Sequence, residues 1–145
     1  MARSRALTRP AGPNEAASYL AKSEEFLRAA QDSLGLGNNT AAVGNSVHAG
    51  ILAADAIAAV RSRAVWRGEH AQAPAHLDAA GEDGKQAARH LRRLLPLKTR
   101  AEYDPDPIGA ADAKSAVSAA ARMVAIARQS LTSVPMPADK TKTPN

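Results

Sequence analysis

The stretch that most constrains the fold is residues 40–62, "TAAVGNSVHAGILAADAIAAVRS". Val43, Val47, Ile51, Ala54, Ile57 and Ala58 recur at the three- and four-residue intervals of one helix face. Most other positions in it are alanine or glycine, so this helix is small and apolar on nearly every side. A helix of that kind is buried against several neighbours at once. It is therefore expected at the centre of the fold, capped by Asn38 or Asn39.

Three further segments have the right pattern to surround it. Residues 14–34 place Ala16, Leu20, Ser23, Leu27, Ala30 and Leu34 at helical spacing, with Tyr19 and Phe26 beside them. Asn14 is a cap, Gly35 and Gly37 are stop signals, and Glu24, Arg28 and Asp32 stand four apart on the outer face, placed to pair. A helix from about Asp83 has Ala87, Leu91, Leu94 and Leu95 inward, and Pro96 predicts a kink or break in it. Residues 109–131 turn Ala113, Val117, Ala120, Val124, Ala127 and Leu131 inward. A short helix is expected near 74–80.

Alanine supplies 35 of the 145 residues, whereas Phe, Trp and Tyr together supply four. Alanine favours helix and lets helices approach closely. With β-branched and aromatic runs nearly absent, no sheet is expected. The predicted fold class is all-α, a four- to five-helix up-and-down bundle over 14–132. A flexible basic arm (1–13) precedes it and a polar, proline-containing, disordered tail (133–145) follows.

The formal net charge is +5. Arg89, Arg92, Arg93, Lys98 and Arg100 fall within twelve residues with no acid among them, so the remainder balances near zero. Such a local excess suggests an anionic partner: RNA, DNA, a nucleotide or an acidic protein face. Arg89, Arg92, Arg93 and Arg100 are the candidate binding residues, aided by Arg3, Arg5 and Arg9 of the arm. The first three fall opposite Leu91, Leu94 and Leu95 and point to water. With no cysteine, disulfides and thiolate metal sites are excluded. The basic N-terminus lacks the apolar run of a signal peptide, and no segment reads as a bilayer span. A cytoplasmic protein that does not engage membranes is expected.

On the central helix, Asn45, His48 and Asp55 form a polar stripe that is costly to bury without partners. A buried polar network is expected there. Lys98 or Arg100 is the expected partner of Asp55, and Tyr103 a hydroxyl donor to the same group. The four histidines, His48, His70, His76 and His90, have no metal-ligand spacing, so no metal and no cofactor are expected. "GLGNN" lacks the ending of a phosphate loop, and no nucleophile-elbow motif occurs.

The order "YLAKSEEFLRAA", "AAVGNSVHAGILAADAIAA", "RHLRRLLPLKTRAEYD" and an alanine-rich last helix resembles the HEPN superfamily (higher eukaryotes and prokaryotes nucleotide-binding), small stand-alone bacterial members in particular. The likeness covers about residues 15–131. It implies a helical bundle that forms a homodimer. Many members are metal-independent ribonucleases of toxin–antitoxin and phage-defence systems. Their site is an Arg, then four to six intervening residues, then a His, near the start of the last main helix. Here Arg100 stands in that neighbourhood, but no histidine follows it, and Tyr103 is a poor base at neutral pH. Arg63 and His70 match the spacing elsewhere, at about the frequency that chance allows. Three readings follow. The first is a non-catalytic HEPN-like module binding RNA, nucleotide or an acidic protein. The second is a ribonuclease toxin with a degenerate site drawn from Arg63, His70 or Arg100. The third is a helical partner of a nucleotidyltransferase, or an antitoxin-type interaction protein.

Overall fold

The structure is a computed structural model that describes residues 7–133. Four helices of 23 residues each carry the fold: α1 (Pro13–Gly35), α2 (Asn39–Arg61), α4 (Gly81–Tyr103) and α5 (Ala110–Thr132). A short α3 (Ala73–Asp78) follows a 3-10 turn at His70–Gln72. The chain is an all-α helical bundle. α1 begins on Pro13, whose missing N–H costs nothing at a first helical position. It ends where the Leu36 N–H returns to the Asp32 carbonyl and Gly37 takes the left-handed conformation, φ 77°.

α2 is central, as its composition predicts. It packs against α1, α5 and α4, and more lightly against α3. Twelve of its residues are buried. Its small side chains set how closely the neighbours approach. A Cβ on Gly50 would lie 2.6 Å from Leu94 Cδ1 and 3.2 Å from Met123 Sδ, so glycine is what lets α4 and α5 both close onto this point. Contrary to the sequence expectation, α2 is long and apolar enough to cross a membrane by length and composition, but most of it is buried inside the bundle. The fully buried large side chains of the main core are few: Val43, Val47, Ile57, Leu77, Leu91, Leu94, Met123 and Val124, with Leu27, Ile108 and Val117 nearly so. Alanine fills most of the remaining space.

Two further expectations are revised. The first is the absence of any sheet. β1 (Thr8–Pro10) pairs antiparallel with β2 (Ala64–Trp66), with Arg9 opposite Val65. Two backbone bonds extend the ladder, from Ala11 N–H to the Arg63 carbonyl and from Arg67 N–H to the Leu7 carbonyl. Residues 7–13 are therefore not a free arm. The fully buried Val65 and the nearly buried Ala11 pack with Ala16 and Ala59 in a small second core, which anchors the strand pair. Arg3, Arg5 and the expected tail from 134 lie outside the described residues. The second concerns Pro96, expected to kink or break the helix: α4 does not break there and runs through it to Tyr103. Pro96 is exposed, so the Arg92 carbonyl it cannot serve lies on the solvent side of the helix.

Candidate functional site

The cations of α4 divide by the direction in which they leave the helix. Arg92 makes a two-pronged bond with the Asp78 carboxylate of α3. That partner pulls Asp78 below the usual carboxylate range and Arg92 above the usual guanidinium value. Lys98 pairs with Glu102 one turn on, at 3.3 Å, and Arg100 with Asp112 of α5, at 3.0 Å. Arg89 and Arg93 have no ion-pair partner among the described residues. They share a cleft of about 500 Å³ with Gln86, His90 and Arg122 of α5. Burial, and then the charges of Arg93, Arg122 and Arg89, push the His90 imidazole below its ordinary value. Its Nδ1 is buried without a partner. The exposed face is thus three arginines around a histidine whose value burial and those charges lower.

This geometry divides the cations expected to bind an anion. Arg92 and Arg100 are engaged within the chain, Arg89 and Arg93 are not, and Arg122 joins them. Arg122 was missed because it stands alone in a segment read only for its apolar face. The other outward pairs are also long-range: Arg128 of α5 bonds Glu24 of α1 at 2.8 Å, in place of pairing within α1. Arg61 and Ser130 both donate to Asp83 Oδ2. Burial works against ionising Asp83, but these bonds outweigh it and hold its carboxyl low.

The expected network around Asp55 is corrected as well. Asp55 is buried, but its partner is Arg67 of the loop after β2: Arg67 Nη1 donates to Asp55 Oδ2 at 3.3 Å. Lys98 and Arg100 are committed elsewhere. Arg67 also donates to the Trp66 carbonyl and to the Tyr19 hydroxyl. Arg9 donates to the same hydroxyl and to Glu15. A polar chain thus runs from Asp55 through Arg67, Tyr19 and Arg9 to Glu15. Tyr103, expected in the network, is 77% exposed. His48 is exposed and lies against Phe26, with ring centroids 5.1 Å apart. Asn45 is half-buried and makes no side-chain hydrogen bond among the described residues. The stripe on α2 is not one network, because only Asp55 faces the folded-back loop. That loop was read as irregular, yet "AVW" was its clue: a β-branched residue between a small one and an aromatic one, able to bury itself on a short strand.

Asp55 opens onto a cavity of about 110 Å³ between α2, the β2–α3 loop and α4, walled by Ile51, Ala54, Trp66, His76 and Leu91 among others. Burial pushes the Asp55 carboxyl up to about 6, against the pull of Arg67. His70 stands between this cavity and a second cleft of about 390 Å³ that Arg92, Lys98 and Thr99 line. Loss of solvent around the ring and the charge of Lys98 lower the His70 value.

No family model matches the sequence, and no curated protein does. A solved structure that resembles it is the crystal structure of TT1696 from Thermus thermophilus. The two are 23% identical, with 81% of this chain and 98% of that one covered and a TM-score of 0.66. At that identity the likeness shows a shared fold and leaves the site to be argued from this chain's own residues. Among these, Arg63 and His70 do not meet within the chain. Arg63 holds the left-handed conformation (φ 56°) before β2 and faces a shallow groove with Pro10 and Glu15, whereas His70 lines the Asp55 cavity. It is Arg67 that shares that cavity with His70. The described residues contain no cluster of three or more potential metal ligands.

Proposed function

We propose that the chain is a non-catalytic HEPN-like module that captures RNA on the face formed by Arg89, Arg93 and Arg122. The observation that carries this reading is the cleft these three arginines share, unpaired among the described residues, while their neighbours Arg92 and Arg100 are held by acids. Like charges gathered without counter-charge repel one another, and a polyanion relieves that repulsion while its counterions are released. Recognition would be electrostatic, with little base readout, because the cleft holds no Phe, Tyr or Trp for bases to stack on. In this reading the protein acts as a cytoplasmic homodimer within a toxin–antitoxin or phage-defence system. The test is binding of labelled single-stranded RNA to nucleic-acid-free protein as salt is raised. Affinity that ignores salt, or a preference for an acidic protein over RNA, would count against it.

A second reading, a metal-independent ribonuclease, rests on a different observation. His70, whose imidazole value is lowered by loss of solvent and by Lys98, shares one wall with Arg67 and another with Lys98. A neutral imidazole can take the proton of a ribose 2′-hydroxyl as that oxygen bonds to phosphorus and the 5′ oxygen leaves, while nearby cations face the charge developing on the phosphoryl oxygens. Metal-free RNA cleavage lost in His70→Ala and Arg67→Ala, but kept in Arg63→Ala, is its signature.

A further inference from the structure

We propose that the cavity beside Asp55 binds a small, neutral, planar ring that carries an N–H next to a carbonyl, the lactam edge of a pyridone-type heterocycle. The site is independent of the α4–α5 arginine face, and the inference does not rest on either reading above.

Size sets the first limit. An apolar cavity of about 150 Å³ holds benzene. At about 110 Å³ this cavity is smaller than that, so a single six-membered ring would fill it with one edge left toward its mouth. The floor is apolar, with Ile51, Ala54 and Leu91. Trp66 and His76 pack against each other, ring centroids 5.7 Å apart and planes tilted by 33°, and together form one aromatic wall. Both have committed ring N–H groups to backbone carbonyls, Trp66 to Glu69 and His76 Nε2 to Ala64. They therefore offer ring surface in place of donors.

Polarity sets the second limit. Asp55 Oδ2 takes one long bond from Arg67, and Oδ1 has no hydrogen bond among the described residues. A carboxylate this deeply buried favours any donor that can reach its free oxygen. Arg67 lies next to it, with three of its five N–H groups in use and the rest unspent. An acceptor beside a donor matches a ligand edge with a donor beside an acceptor. Net charge sets the third limit. A cation would meet Arg67 and an anion would meet Asp55, so the fitting ligand is neutral.

The chain's only tryptophan forms a wall of this cavity and supplies the readout. 2-Pyridone is titrated at mildly alkaline pH, with Trp66 fluorescence and the indole N–H resonance observed. N-methyl-2-pyridone and benzene are the probes that lack the donor. The expected result is saturable 2-pyridone binding, with both other probes weaker by at least about tenfold, because a site built to accept a hydrogen bond rejects ligands without one. Asp55→Ala and the cavity-filling Ala54→Leu, each first shown to be folded by circular dichroism, are expected to lose at least about tenfold in 2-pyridone affinity. If neither variant folds, the probe series in the unmodified protein decides alone. No saturable binding, benzene binding as tightly as 2-pyridone, or unchanged affinity in folded Asp55→Ala would overturn the proposal.

Discussion

Arg92 and Arg93 are adjacent on one helix, both exposed, and they end in opposite circumstances. Consecutive residues on a helix point about 100° apart. That rotation sends Arg92 toward α3 and the Asp78 carboxylate, and Arg93 toward α5 and Arg122. The same division separates Lys98 and Arg100, which are paired, from Arg89, which is not. The functional charge of a basic segment is what remains after its own fold has neutralised part of it. Here five cations in sequence reduce to two, and a third arrives from another helix.

The largest effect should come from removing the unpaired set. In the triple variant Arg89→Ala, Arg93→Ala, Arg122→Ala, RNA affinity at low salt should fall about a hundredfold, with the salt slope shallower by about two. The double variant Arg92→Ala, Arg100→Ala should stay within about threefold of the parent, since exposed ion pairs within the chain contribute little. Equal losses in the two variants would erase the distinction between the sets.

The next effect concerns the pair that is buried. The folded value of Asp55, about 6, lies above its ordinary value of 3.8, so the native state holds an extra proton between those limits. Its favourable contribution is complete below about pH 4 and is lost as pH rises through 6. Asp55→Asn should therefore gain stability over the parent between those pH values, by on the order of 2–3 kcal/mol. Chemical denaturation of both proteins across that range checks this. A constant difference would mean that Arg67 neutralises Asp55 fully, making the buried pair no costlier than the exposed ones.

A smaller effect tests what holds Asp78 in place. A Cβ on Gly84 would run into the Leu77 carbonyl oxygen, so α3 packs on α4 only through glycine. Gly84→Ala should destabilise the protein by about 1–2 kcal/mol through overpacking. It should also displace Asp78 and free Arg92. RNA affinity would then rise slightly in this variant and not in Asp78→Asn combined with Arg92→Ala. The smallest effect is that of Asp78→Asn alone, which should leave the melting temperature essentially unchanged.

The four long helices and the centrality of α2 were legible because they are repetitive. Val43, Val47, Ile51 and Ile57 state a period, and a period fixes which face is inside. Most of the candidate site was not legible, because it depends on which helix neighbours which. Nothing in the α4 sequence alone says that Arg92 meets Asp78, fourteen residues earlier, or that Arg93 meets Arg122. Asp55 was recognisable as a buried carboxylate in need of a cation. Its partner was misassigned to Lys98 or Arg100 because the β1–β2 pairing that turns Arg67 inward has three residues per strand, too few to show a period.

The most direct measurement sets the two neighbours against each other: the salt dependence of single-stranded RNA binding by Arg92→Ala and by Arg93→Ala. Losing one phosphate contact lowers the slope of log K against log salt by about 0.7. Arg93→Ala should show that drop together with weaker binding, and Arg92→Ala should show neither. A drop in Arg92→Ala equal to or larger than that in Arg93→Ala would contradict the account.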